Sequence, residues 1–333
     1  MARVLASVGA ALMLKVGLIQ VGGSLPNVAL MRLATWHRRI GDEVILDAKP
    51  TDACDRVYVS TLFTWQRSKV IELAAHFSPH ADVEIGGSGW DLAKRLPAEV
   101  DAMPNEYSLY GISYGVGYSS RGCIRHCAFC PVPRAEGHVR EDQPIAALLN
   151  PLSNRLILLD NNFFASDWRP KIEEIRNRGL VVDWPQGIDI RLVDREQASV
   201  LGDLRTHGQL SGDRFTRPGT LHFAWDLPSN DARPDTVTGG IRLLFDAGFR
   251  PRDLRCYVLI GYPGYDLAEE VARLTTLHAL GIEPYVMVYR DFGERDRRDV
   301  RRMDLQHWNN GHVWRSVEWP EYRRRSRKGA VFA

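Results

Sequence analysis

Apolar runs of four to eight residues, most of them followed by a helical pattern, recur from Val16 to beyond residue 280, and this alternation restricts the fold more than any other feature of the chain. Runs that short and that uniformly apolar predict strands buried on both faces, hence parallel sheets with helices packed against them. In the first third VGLIQV, EVILDA, RVYVSTLF and DVEIGG read as strands, with helices over 27–39 and 65–77. Pro26 at its start and Gly41 past its end suit the first helix, because a helix start leaves an N–H free and a helix end favours glycine. Residues 16–110 are therefore expected to form a Rossmann-like or flavodoxin-like module, closing with a proline-punctuated connector from Trp90 to Tyr110. A second series begins near Tyr114 and continues as RLILLD, LVVDWPQGIDI, LHFAWD, RCYVLIGY and EPYVMVYR. Six strands in about 180 residues predict a partial parallel barrel of the TIM type, (β/α)6, over residues 111–292. The expected fold class is thus α/β, a Rossmann-like domain followed by a partial barrel whose working residues sit at the C-terminal ends of its strands.

Composition removes several other classes. The 333 residues carry 43 Lys plus Arg against 41 Asp plus Glu, a net charge of +2, with charged residues at 25%, which excludes disordered, collagen-like and coiled-coil chains. No apolar run approaches the roughly 20 residues that span a bilayer, so no membrane association is expected. Residues 1–15, MARVLASVGAALMLK, place an arginine before a short apolar stretch but lack a small-residue cleavage site, and read as an upstream extension rather than a signal peptide. Five cysteines are too few for a disulfide scaffold, and three of them fall within eight positions. That crowding points to metal in a reducing compartment, and so to the cytoplasm.

The crowded segment is GCIRHCAFC, with Cys123, Cys127 and Cys130 in a C-x3-C-x2-C pattern and Phe129 before the last thiol. Three such thiolates can hold three irons of a 4Fe-4S cluster and leave the fourth open, unlike electron-transfer clusters with four cysteines. An open iron can take a small molecule through an amine and a carboxylate and pass it an electron. The competing readings are a structural zinc with His126 or His138 as fourth ligand, although no second cysteine pair exists, and buried cysteines that bind nothing.

This loop, placed after the first strand of a partial barrel, resembles that of the radical SAM superfamily. The resemblance implies reductive cleavage of S-adenosylmethionine to methionine and a 5′-deoxyadenosyl radical that abstracts hydrogen from substrate, with electrons from an external donor such as flavodoxin or ferredoxin. It further implies cofactor contacts downstream. LILLDNNFFA places Asp160, Asn161 and Asn162 where such proteins grip the methionyl amino group, although most carry a Gly-Gly-Glu type sequence there; a polar turn is the alternative. Asp189 and Arg191 end the next strand, where the guanidinium could hold a carboxylate or simply pair with Asp189. Asp226 falls where a ribose partner is common, and Ile260, Gly261 and Tyr262 end a strand that resembles the adenine-contacting one. Cys256 reads as core.

The N-terminal module resembles the cobalamin-binding-like domain that precedes some radical SAM barrels, with Gly86, Gly87 and Ser88 in the loop that would approach the nucleotide tail. The D-x-H-x-x-G sequence that supplies a cobalt ligand is absent, and the same glycines suit a tight turn, so a structural cover is the favoured reading and cobalamin the less favoured one. Methylthiotransferases, which share the barrel, carry three N-terminal cysteines where only Cys54 exists here. Residues 291–333 hold 11 Lys plus Arg against 7 Asp plus Glu, interleaved with Trp308, Trp314, Trp319 and Tyr322. That pattern suits a helical closure of the barrel with buried tryptophans, or contact with nucleic acid through phosphates and base stacking. The leading expectation is a radical SAM enzyme that modifies an unreactive carbon of a substrate the sequence does not identify. A cobalamin-dependent methyltransferase and a non-catalytic iron-sulfur sensor or nucleic-acid-binding protein are the alternatives.

Overall fold

A computed structural model describes residues 13–227, 234–290 and 299–323. The readings of residues 1–12, and those parts of the C-terminal segment at 291–298 and 324–333, lie outside the described residues. The chain divides into two compact units between Ile112 and Ser113.

The first unit is a four-stranded parallel sheet, order β2-β1-β3-β4, built from β1 (Lys15–Val21), α1 (Val28–Arg39), β2 (Glu43–Leu46), β3 (Arg56–Thr61), α2 (Arg67–Phe77) and β4 (Asp82–Gly86). It is Rossmann-like. Asn27 caps α1 by accepting from the Leu30 N–H, and His37, Arg38 and Arg39 sit where the negative end of the helix dipole favours them. The sheet has an apolar cluster on each side. On one, Val16 and Leu18 meet Leu30, Leu33 and Ala34 of α1; on the other, Ile19, Val57 and Val59 meet Val70 and Phe77 of α2. The connector belongs to the first cluster. Val100, in the single turn α3 (Ala98–Asp101), is buried there, Asp101 pairs with the fully buried Arg32, and the Tyr110 hydroxyl donates to Gln20 Oε1 at 2.8 Å. The predicted start of the second helix at Trp65 shifts to Arg67, because residues Thr64–Gln66 form a 3-10 turn.

The second unit carries the six expected strands as two three-stranded parallel sheets. In chain order its elements are β5 (Gly115–Gly117), β6 (Ser120–Arg121), α4 (Val132–Ala135), β7 (Arg140–Glu141), β8 (Arg155–Leu158), α5 (Trp168–Asn177), β9 (Val181–Asp183), α6 (Arg195–Thr206), β10 (Ser211–Gly212), β11 (Arg217–Pro218), β12 (Leu221–Ala224), α7 (Pro234–Asp246), β13 (Leu254–Ile260), α8 (Leu267–Ala279), β14 (Glu283–Val288) and α9 (Val300–Asn310). One sheet is β5-β8-β9 and the other β12-β13-β14. Single parallel bridges, Val182 to Leu210 and Ile188 to Phe223, mark the seam, and no closed barrel forms among the described residues. LVVDWPQGIDI yields only a three-residue strand, since Pro185 has no N–H to give a ladder and Gly187 turns the backbone at φ +78°. In β13, Leu254, Cys256, Val258 and Ile260 are buried toward the helices, while Arg255, Tyr257 and Leu259 alternate to the other face.

Helix α9 covers the outer edge of this sheet. Asn310 both donates to and accepts from the backbone of Val286, and Asn309 donates to the Pro284 carbonyl at 2.7 Å, so side-chain amides occupy groups an edge strand leaves open. Trp308, Trp319 and Tyr322 are buried against it, and Trp314 stacks on His278 at 3.8 Å between ring centres. Among the described residues no helix is long and apolar enough to cross a membrane.

Candidate functional site

The cysteine loop is closed at its base by a two-residue antiparallel ladder, β6 with β7, and by Arg121, which pairs with Asp142 at 3.1 Å and with Glu136. Gly122 begins the loop at φ +83°, and a Cβ there would stand 2.2 Å from the His138 carbonyl oxygen, so only glycine fits. The Cys123 N–H then donates to the Gly137 carbonyl and the Cys130 N–H to that of Cys127 at 2.9 Å. This folds all three thiols onto the wall of a cavity of about 270 Å³.

The segment after β8 pins the loop from below. Asp160, almost fully buried, accepts from the backbone and hydroxyl groups of both Ser119 and Ser120, while Asn161 Oδ1 accepts from the Gly122 N–H at 2.9 Å. Asn162 Nδ2 lies 3.4 Å from Cys123 Sγ and 3.4 Å from Asp189 Oδ2, and its Oδ1 is buried without a hydrogen-bond partner. Beyond β9, the turn through Gly187 delivers Asp189, which takes Arg191 Nε at 2.6 Å and Arg125 Nε at 3.0 Å. Asp226, past the end of β12, accepts from the Leu259 N–H at 2.8 Å.

The cavity lining therefore includes Cys123, Cys127, Cys130, Phe129, Asn161, Asn162, Asp189, Arg191 and Asp226. Four other residues singled out in the sequence lie elsewhere. Asp160 spends its carboxylate on the serines, Ile260 is fully buried in the core, and Gly261 donates its N–H to the buried Glu270 at 2.6 Å. Tyr262 meets the loop at Phe129, edge-on with ring centres 6.0 Å apart, and does not line the cavity. Arg125, Gln186, Gly187 and Trp225 also line the cavity and were not singled out. Arg125 could have been, since it lies between two of the clustered cysteines; the others are placed by the turn after β9 and the seam between the sheets, which sequence periodicity does not reveal.

Electrostatics in the cavity are uneven. Burial raises the Cys127 thiol, with the positive charge of Arg191 opposing it, and pushes Cys130 up to about 11. Burial also pushes the Asp226 carboxyl up to about 6. At Asp189 burial acts the same way, but Arg191 and Arg125 outweigh it and hold the carboxyl below its usual range.

The donor set fits an iron-sulfur core. Clustered cysteine thiols, among them Cys127 and Cys130 whose ionisation burial opposes, become stable thiolates when a strongly cationic centre coordinates them. A single zinc ion needs ligands converging on one point, with thiolates at about 2.3 Å. Among the described residues no group of three or more His, Cys, Asp or Glu side chains is arranged to hold a metal ion directly. A cubane takes one thiolate per iron and needs no such convergence. The unpartnered Asn162 Oδ1 is an acceptor suited to an ammonium group.

Two glycines of the first unit sit against the end of β3. Gly87 stands at φ +93°, and a Cβ there would lie 2.3 Å from the Thr61 carbonyl oxygen; a Cβ on Gly89 would lie 2.4 Å from the Phe63 N. Close approach of the chain to the end of β3 requires both residues to be glycine.

No family model matches the chain, and no curated protein is similar to it at a significant level.

Proposed function

We propose that the chain is a radical SAM enzyme that binds a 4Fe-4S cluster through Cys123, Cys127 and Cys130 and modifies an unreactive carbon of its substrate by hydrogen abstraction. The observation that carries this reading is the convergence of the three spaced thiols with polar side chains from the ends of β8, β9 and β12 on one cavity. In this reading the two three-stranded sheets are the halves of a partial barrel with its working residues at the strand ends. When bound, the cluster supplies the electron that cleaves S-adenosylmethionine to methionine and a carbon radical. The chain's own residues hold the cofactor and keep water from it: Asn162 Oδ1 accepts from the methionyl ammonium, Asp226 from a ribose hydroxyl, and Phe129 and Trp225 form apolar wall.

The test is anaerobic reconstitution of the full chain with iron, sulfide, reductant and S-adenosylmethionine. Release of 5′-deoxyadenosine is expected. Its absence from a protein carrying the full cluster would leave an iron-sulfur sensor in place of an enzyme.

A further inference from the structure

We propose that Asp189 is the positioning residue of the cysteine loop: one buried carboxylate holds Arg125 from within the loop and Arg191 from beyond it, fixing the loop's shape and the positive charge beside its thiols. The proposal rests on the reading of the loop as a cluster site and adds the residue that organises it.

The side chain of Asp189 is only 7% exposed, a costly place for a carboxylate unless its oxygens are used. They are used on three sides. Arg191 approaches with two prongs, Nε to Oδ1 at 2.6 Å and a terminal nitrogen to Oδ2 at 3.1 Å, while Arg125 Nε meets Oδ2 at 3.0 Å. Asn162 Nδ2 adds a contact to Oδ2 at 3.4 Å. Each of these partners has a second tie to the cysteines. Asn162 lies 3.4 Å from Cys123 Sγ, Arg191 shares the cavity wall with Cys127 and its charge opposes the effect of burial on that thiol, and Arg125 lies between those two cysteines with its own N–H 3.3 Å from Cys123 Sγ. Two of the three thiols are thus one side chain removed from a single carboxylate.

This arrangement changes what Arg191 can do. Its two-pronged face is already filled by Asp189, the geometry that would otherwise clasp a ligand carboxylate. Its remaining role is local: with Arg125 it puts two positive charges against one negative beside a thiolate-rich centre. Net charge and hydrogen bonds to sulfur set the potential of an iron-sulfur centre, and nearby positive charge favours the reduced state.

Two measurements on the full chain test this. In the cluster-free protein, hydrogen exchange of the backbone over 123–130 is expected to quicken about tenfold or more in D189A and in R125A, with β1 to β4 unchanged. In the reconstituted protein, D189N removes the negative charge but keeps an oxygen for one arginine, so its reduction potential should move positive of the wild type, and D189E, which keeps the charge, should bring it back. A loop whose exchange is unaltered in both alanine variants overturns the positioning role. An unchanged potential in D189N overturns the electrostatic one, since a purely structural residue would alter cluster content without moving the potential. Should the wild-type protein take up no cluster at all, the radical SAM reading fails, while the exchange experiment still decides whether Asp189 holds the loop.

Discussion

Five cysteines separate into two environments. Cys54 and Cys256 are buried among apolar side chains in different units, whereas Cys123, Cys127 and Cys130 are half-buried on one cavity. Replacing any of the latter three with alanine is expected to lose most of the reconstituted iron and its visible spectrum, and replacing Cys54 or Cys256 is expected to keep both; iron analysis and absorption spectra decide it. Asp183 offers a second test, away from the cavity. It is fully buried, one oxygen accepts from the Arg214 N–H at 2.8 Å, the other is unpartnered, and burial pushes the carboxyl up to about 6. The unfolded value is about 3.9, so between those two pH values the native state holds a proton that the unfolded chain has released. Stability must then fall as pH rises from about 4 to 6 and level off above. Relative to D183N, which does not titrate, the wild type should lose about 2–3 kcal/mol between pH 4 and pH 7 in urea unfolding. A parallel pH dependence in the two proteins would show that Asp183 titrates normally.

At the scale of elements, legibility followed burial. Strands with a strong apolar period, such as Leu254–Ile260 and Glu283–Val288, appear where the sequence places them, because every second residue of each run is buried on one face. Boundaries failed where backbone chemistry overrode the apolar pattern, as at Pro185 and Gly187, and before α2, where a 3-10 turn takes up Thr64–Gln66. The cysteine loop was legible because its spacing is local. The company it keeps was only partly so: the cavity wall is assembled by turns and by the seam between two sheets, Asp160 turned out to serve the backbone and hydroxyls of Ser119 and Ser120, and the Gly261 N–H donates to the Glu270 carboxylate. The glycines after β4 show the limit most clearly. A Gly-rich stretch signals close approach without saying to what, and here the neighbour is the end of β3. Gly87→Ala, combining an unfavourable positive φ with a 2.3 Å clash, is expected to destabilise the first unit by about 2–4 kcal/mol in chemical denaturation. Loss of any ligand in that variant would therefore say nothing about a cobalamin site. Anaerobic purification of the wild type with hydroxocobalamin is the informative experiment, and no retained cobalamin is expected.

Across the whole molecule, charge and aromatic surface argue against a nucleic-acid role for the described part of the C-terminal segment. The net charge of +2 in 333 residues creates no strong long-range field. The aromatics that could stack on bases are committed within the second unit. Trp308 donates its indole N–H to the Val317 carbonyl at 2.7 Å and packs edge-on to Trp319, and the Tyr322 hydroxyl meets His307 at 2.7 Å. The arginines are engaged as well: Arg302 with Glu270 and Asp299, Arg315 with Glu283 and the face of Trp314, Arg301 over Trp319. Removing Trp308 as alanine should therefore cost about 3–5 kcal/mol of stability, the range for a large buried aromatic. Single-stranded DNA and RNA should bind the intact chain no more tightly than the micromolar or weaker level typical of non-specific contact at physiological salt. A titration from 50 to 200 mM salt checks this. Tight binding whose affinity falls steeply with salt would place phosphate contacts on the run RRSRK at 324–328, where the sequence concentrates positive charge, and would return nucleic acid to the set of partners.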